Sequence, residues 1–258
     1  MQYGICTGLN NYKILEQLGY DYLELSVTAT MALEKSVREE YRRQLAESSI
    51  DCQAFNILFP KTMDLIGGGT KDEEIKDYLH QAMELIQSFG AKTVVFGSGK
   101  CRRCPEQMTY GDAYKRLVQV CRMTGEIAGQ YGVQVVIEPL SRNETNLICT
   151  MAEGAILAED TGLDNVGLLA DFYHVMANHD NLGDISVIKQ FRHLHIASAN
   201  GRKYPLSEEN EVYRAFFQEL KNIGYCGRIS IEGKTENIES DGEAALKFLK
   251  GLEKEIYG

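Results

Sequence analysis

Long apolar runs are missing from this 258-residue sequence, and so is a basic amino-terminal stretch leading into one, since the chain starts MQYGICTGLN. Neither a membrane helix nor an export signal is expected. Prolines number only four and no Ser/Gly-rich linker interrupts the chain, so residues 1–258 read as one domain. No Gly-x-Gly-x-x-Gly opens a helix behind a first strand, which argues against a dinucleotide fold. Positive charge is also scarce: 27 Lys and Arg face 37 Asp and Glu, a net −10. Nonspecific nucleic-acid binding needs a positive surface and is disfavoured. Seven cysteines (Cys6, Cys52, Cys101, Cys104, Cys121, Cys149, Cys226) are odd in number in a chain too long to need disulfide staples. They read as reduced thiols in a cytoplasm.

What is present is an alternation. Short β-branched or apolar runs (Tyr3–Cys6, Tyr22–Ser26, Cys52–Asn56, Thr93–Phe96, Gln134–Ile137, Val166–Ala170, His193–Ile196 and Arg228–Ile231) are separated by longer amphipathic stretches. Three of these, IKDYLHQAMELIQSFG, YKRLVQVCRMTGEIAGQYG and EVYRAFFQELKNIG, place apolar residues three and four apart and close on Gly90, Gly132 and Gly224, which fit as helix terminators. Eight βα units of roughly 32 residues suit an α/β fold of the single (β/α)8 barrel type, with a doubly wound sheet as the structural alternative.

In such a barrel the chemistry sits at the carboxyl ends of the strands. Strand five reads VVIEPL, ending on Glu138; strand six GLLADFYH, on Asp171; strand seven HLHIA, on His195; strand eight RISIEG, on Glu232. Any one of these alone is an ordinary strand-end polar residue. Four on consecutive strands are different, because charges beside buried apolar runs cost several kcal/mol unless paired or bound to a cation. Three carboxylates and one imidazole suit a divalent metal: Mn²⁺, Mg²⁺ or Co²⁺ by the oxygen-rich set, with Zn²⁺ open. The competing Cys101-x-x-Cys104 lacks a second ligand pair and reads as loop thiols. His174, three after Asp171, can reach the same mouth as a donor to substrate, whereas His193 lies deeper and suits a supporting role. Glu24, Cys6 and Asn56 are candidates to line the mouth. Gly97-Ser98-Gly99-Lys100 suggests a close backbone approach to substrate or an anion contact without Walker spacing, and a phosphorylated substrate stays open.

At IEPLSRNETN, ADFYH, HLHIASANGR and GRISIEG the chain resembles the xylose-isomerase-like TIM-barrel superfamily, and within it the D-tagatose 3-epimerase type of ketose 3-epimerases. The resemblance implies that Glu138, Asp171, His195 and Glu232 hold one divalent cation, Mn²⁺ first, and that Glu138 and Glu232 form the acid/base pair, transferring a proton through a metal-bound enediolate. It also implies substrate contacts by Glu144, His174 and Arg202, and pairing of chains into dimers or tetramers. One departure stands out. The epimerase motif after strand seven runs His-x-His-x-Gly-Glu-x-Asn-Arg, whereas here Ala197 and Ser198 replace Gly-Glu and Gly201 separates Asn200 from Arg202. The role of Arg202 and the preferred sugar both turn on that loop. Hydroxypyruvate isomerases and inosose dehydratases resemble the chain next. Abasic-site endonucleases of the endonuclease IV type fit less well, because their three-zinc site needs more histidines than the five here. A sugar-binding barrel without turnover is the non-enzyme alternative, although no acid/base member is missing.

Overall fold

Each apolar run becomes a strand, and each strand pairs in parallel with the next. A computed structural model describes residues 1–207 and 210–258. Its strands are β1 Gln2–Cys6, β2 Tyr22–Ser26, β3 Asp51–Asn56, β4 Thr93–Phe96, β5 Gln134–Ile137, β6 Val166–Asp171, β7 Phe191–Ile196 and β8 Arg228–Ile231. β8 pairs with β1 and closes the ring in chain order. This is the (β/α)8 barrel expected. The largest displacement of a strand end is at β7, which starts at Phe191 rather than His193.

The helices are α1 Tyr12–Leu18, α2 Val27–Met31, α3 Lys35–Ala46, α4 Asp72–Ser88, α5 Tyr110–Gln130, α6 Met151–Thr161, α7 Phe172–Ala177, α8 Asp184–Ile188, α9 Asn210–Asn222 and α10 Ile238–Tyr257. α4 shows why they form. Asp72, Glu73 and Glu74 occupy its first turn, where carboxylates favour the helix dipole, and Ile75, Leu79, Ala82, Met83 and Ile86 supply a buried stripe at helical spacing. Gly90 then takes φ +80°, a left-handed turn that costs glycine nothing and reverses the chain into β4. Gly132 and Gly224 do the same ahead of β5 and β8. α6 is started by a reciprocal cap between Thr150 and Glu153.

Most of the buried apolar side chains lie between strands and helices, each contributing about 1.5–3 kcal/mol on burial. A separate cluster of Val95, Val136 and Leu169 fills the barrel itself. Side chains alternate along a strand, so residues two positions on share the same inward face: Gly97 after Val95, Glu138 after Val136, Asp171 after Leu169. By the same parity His195 follows His193 and Glu232 follows Ser230. The apolar plug is thus the floor on which the polar site is built. No helix among the described residues is long and apolar enough to cross a membrane, and all seven cysteines are free thiols.

Candidate metal centre

The four strand-end residues converge. One donor atom from each of Glu138, Asp171, His195 and Glu232 lies within 4.8 Å of the other three. His195 Nδ1 stands 3.3 Å from Glu138 Oε1 and 3.5 Å from Glu232 Oε2. Asp171 spends one oxygen on its own backbone: Oδ1 caps α7 by accepting from the Tyr173 N–H at 2.8 Å. Its Oδ2 is buried and accepts no hydrogen bond. A buried carboxylate oxygen left in this way is costly, and together with the hard, oxygen-rich donor set it fits a divalent cation at the centre of the cluster.

Glu24 does not line the mouth. It is completely buried below the cluster, where Oε1 accepts from His195 Nε2 at 2.9 Å and Oε2 accepts from His193 Nε2 at 2.7 Å and from the Ser230 hydroxyl. That carboxylate fixes the His195 ring with its Nδ1 aimed at Glu138 and Glu232. His193 therefore supports Glu24, one step further out. Cys6 Sγ lies 3.9 Å from His195 Nε2, and Asn56 Nδ2 donates to Glu232 Oε1 at 3.0 Å, so both reach the site edge.

The three residues assigned to substrate also lie at this mouth. His174 Nδ1 accepts from the Ser141 N–H at 3.0 Å, which places the ring proton on Nε2 when the imidazole is neutral. Nε2 is buried, has no hydrogen-bond partner and lies 3.5 Å from Asp171 Oδ2, a donor held ready at the cluster. Arg202 contacts Glu232 through Nη2, Glu144 Oε1 through Nη1 at 3.2 Å and Asp171 Oδ2 at 3.5 Å, and its guanidinium covers the Tyr173 ring at 4.9 Å. The extra residue in its loop is absorbed by positive φ at Gly201 (81°) and Arg202 (55°). Backbone bonds from Ser198 N to Lys203 O and from Lys234 N to Arg202 O close the loop. The insertion thus turns the arginine back into the site.

The two glutamates differ in their proton affinity. Burial pushes the Glu138 carboxyl up and the charge of Glu232 adds to it, with His195 only partly offsetting both. For Glu232 burial also acts upward, but His195 and Arg202 outweigh it and hold the group down at about 2. Carboxyls pushed apart in this way are how one site holds an acid and a base together. At Glu24 the upward push of burial is outweighed by the two histidines, which hold it ionised.

One contributor, Arg102, is not apparent from the sequence. Arg102 sits beside a second arginine in the segment GKCRRC, and it is fully buried. Its Nη2 donates to the Glu138 carbonyl at 2.6 Å and its Nη1 to the Phe96 carbonyl at 3.3 Å, pinning the ends of β4 and β5. Gly97 lines the cavity and closely approaches Glu138, since a Cβ there would fall 1.9 Å from Glu138 Oε2. Of the CxxC pair, Cys101 is buried and Cys104 half-buried, and both thiols face backbone carbonyls. His80 lies on α4, with Nδ1 3.1 Å from the Tyr131 hydroxyl.

The cluster opens into a cavity of about 650 Å³ over β3 to β5, bounded by Ile57, Phe59, Leu140, Glu144 and Arg202. A second, mainly apolar recess of about 450 Å³ over β1 to β3 also reaches Glu232. Both lie at the carboxyl ends of the strands, where barrel enzymes work.

Relatives carry the same architecture. The chain is 28% identical over 115 residues, 44% of its length and 43% of the relative's, to the 3-dehydro-D-guloside 4-epimerase of Escherichia coli K12, so that match spans less than half of the relative. Similarity to the inosose isomerase of Halalkalibacterium halodurans runs nearly end to end, at 22% identity over 98% of this chain and 95% of that one. Among solved structures, D-psicose 3-epimerase crystallised in the presence of D-fructose superposes with a TM-score of 0.83 at 19% identity over the whole of both chains. The IolI protein with a bound zinc atom superposes at 0.73 and 18% identity, over 99% of this chain and 98% of that one. At these identities the superpositions establish the fold. The family model described as xylose isomerase-like TIM barrel matches residues 12–252, and the chain belongs to that family.

Proposed function

We propose that this chain is a divalent-cation-dependent carbohydrate isomerase, with 3-epimerisation of a ketose as its reaction and residues 1–258 as one catalytic barrel. The observation that carries this reading is the buried quartet Glu138, Asp171, His195 and Glu232, with donor atoms within 4.8 Å and two glutamates that approach from different walls, β5 and β8. The relatives named as epimerases and as an inosose isomerase support it. Mn²⁺ suits three carboxylates and one imidazole, with Mg²⁺, Co²⁺ and Zn²⁺ as competitors.

When bound, the cation supplies Lewis acidity that makes the C–H beside a ketose carbonyl removable. The chain's own residues do the rest. One of Glu138 and Glu232 takes that proton, and the other delivers one to the opposite face of the same carbon, giving the epimer. Removal of a proton from C1 instead, with delivery to C2, gives the aldose. His174 Nε2–H donates to a substrate oxygen beside Asp171, while Arg202 and Glu144 hold the adjoining hydroxyl and keep Glu232 oriented. Covering the mouth with these groups excludes water and strengthens each polar contact.

The end-to-end similarity to an inosose isomerase favours a second reading, proton transfer beside the carbonyl of a cyclic polyol ketone. NMR identification of products from a panel of ketoses and inososes decides between the two. An epimeric ketose supports the first reading, a rearranged inosose the second, and no turnover of either class with Mn²⁺ present contradicts both. The seven free thiols suit a reducing cytoplasm, and size-exclusion chromatography is expected to give a dimer or tetramer.

A further inference from the structure

The cavity that opens from the quartet carries charge of both signs. Glu138, buried, and Glu232, half-buried, line it. Lys61, Lys100 and Arg103 line it as well, all exposed, in a protein whose net charge is −10. Among the described residues no carboxylate forms an ion pair with any of the three, whereas Arg202, the fourth cation of the cavity, is engaged by Glu232, Glu144 and Asp171. Glu144, the other acid lining the cavity among the described residues, is the partner of Arg202. Arg103 uses one donor on the Glu144 backbone carbonyl at 3.2 Å, which leaves its charge unneutralised.

These cations stand on a fixed wall. Lys61 follows β3, and Lys100 lies in the 3-10 turn Gly99–Arg102 after β4. The two segments are joined by the Phe59 N–H donating to Ser98 Oγ at 2.9 Å and the Leu65 N–H donating to the Cys101 carbonyl at 3.0 Å. Like charges gathered at the rim of a cleft repel one another and focus the field on an incoming anion. The residues that line the neighbouring recess include no lysine or arginine.

We infer that the substrate is a substituted ketose whose far end carries an anionic group, a phosphate ester or a carboxylate, received by Lys61, Lys100 and Arg103 while the reacting carbons lie at the quartet. This rests on the proposed isomerase reading and narrows its substrate class. A phosphate brings a charge of about −1.5 to −2 and three acceptor oxygens, and a carboxylate is gripped in the forked mode by arginine.

The test compares kcat/KM for a neutral ketose, its terminal phosphate and its terminal carboxylate, in the Mn²⁺-loaded wild type and in the Lys61→Gln/Lys100→Gln double variant. Charge-assisted hydrogen bonds imply a preference for an anion of roughly 10–100-fold. That ratio should fall toward unity in the double variant, and the better of the two anions identifies the group. Calorimetric titration with inorganic phosphate reads the same wall without turnover, and its binding should weaken at least tenfold in the variant. Equal kcat/KM for neutral and anionic sugars, or a double variant that slows both in proportion, overturns the inference while leaving the isomerase reading intact. Phosphate binding that the double variant abolishes, in a protein that turns over no sugar, upholds the wall and sinks the isomerase reading instead.

Discussion

Replacing Glu24 by glutamine tests whether the site is held from below. The wild-type carboxylate accepts from two imidazole N–H groups and a hydroxyl in a fully buried position. Glutamine keeps the shape but turns one of the two oxygens into an NH₂ donor. Whichever way the amide is placed, one imidazole N–H then faces a donor. One buried donor without a partner costs about 1–3 kcal/mol, which for a chain of this size lowers the melting temperature by roughly 2–12 °C. The larger effect falls on the metal. Without its carboxylate partner His195 is no longer held with Nδ1 toward Glu138 and Glu232, and loss of such a partner typically costs 10–100-fold in metal affinity. Calorimetric titration of the metal-free protein with Mn²⁺, beside a thermal melt of the same sample, separates the two effects. Glu24→Gln protein that binds Mn²⁺ with wild-type affinity would refute the supporting role, whatever its melting temperature.

Gly97→Ala places a methyl group against Glu138 Oε2, so the fold should survive while Mn²⁺ affinity and kcat fall together, read by titration and steady-state kinetics. Arg102→Met removes the donors to the Phe96 and Glu138 carbonyls and should lower stability by about 3–6 kcal/mol in chemical denaturation, since bonds from a charged donor are worth about 1.5–3 kcal/mol each; an unchanged midpoint contradicts the pinning of β4 and β5. Metal loading should bring about one Mn²⁺ per chain by elemental analysis and, at a hundredfold excess over Kd, stabilise by about 2.7 kcal/mol, or ~5–10 °C in melting temperature. About three zinc ions per chain would favour the endonuclease-type site instead.

The barrel and the quartet were legible because both are local signals. Each apolar run marks a strand, and a polar residue at its carboxyl end marks the mouth, so VVIE, LLAD, HLHI and RISIE point to the site without any knowledge of pairing. Glu24 resisted that reading because its partners are distant: His195 is 171 residues away, and the contact exists only because the ring closes with β2 and β7 both facing the interior. A signal was there in YLELS, a lone charge between two leucines of a buried strand, which needs a partner by the same desolvation argument used for the quartet. Arg102 carries no such signal. Adjacent basic residues usually mark an exposed face, and only the 3-10 turn that tucks beneath Glu138 buries one of them. Gly97 signals a close approach in the sequence, and the neighbour it accommodates is the Glu138 carboxylate. The Arg202 loop differs in spacing from the related motif, and what restores the arginine to the site is backbone conformation, which residue spacing does not encode.

Solvent deuterium exchange at the carbon beside the ketose carbonyl tests the central claim most directly. In D₂O the Mn²⁺-loaded wild type should incorporate deuterium at that carbon as the epimer forms, followed by NMR. Glu138→Gln and Glu232→Gln should each lower the rate by roughly 10²–10⁴, the range expected for loss of a general acid or base, and chelation of the metal should abolish it. Exchange that persists at the wild-type rate in either glutamine variant, or after chelation, would contradict the account.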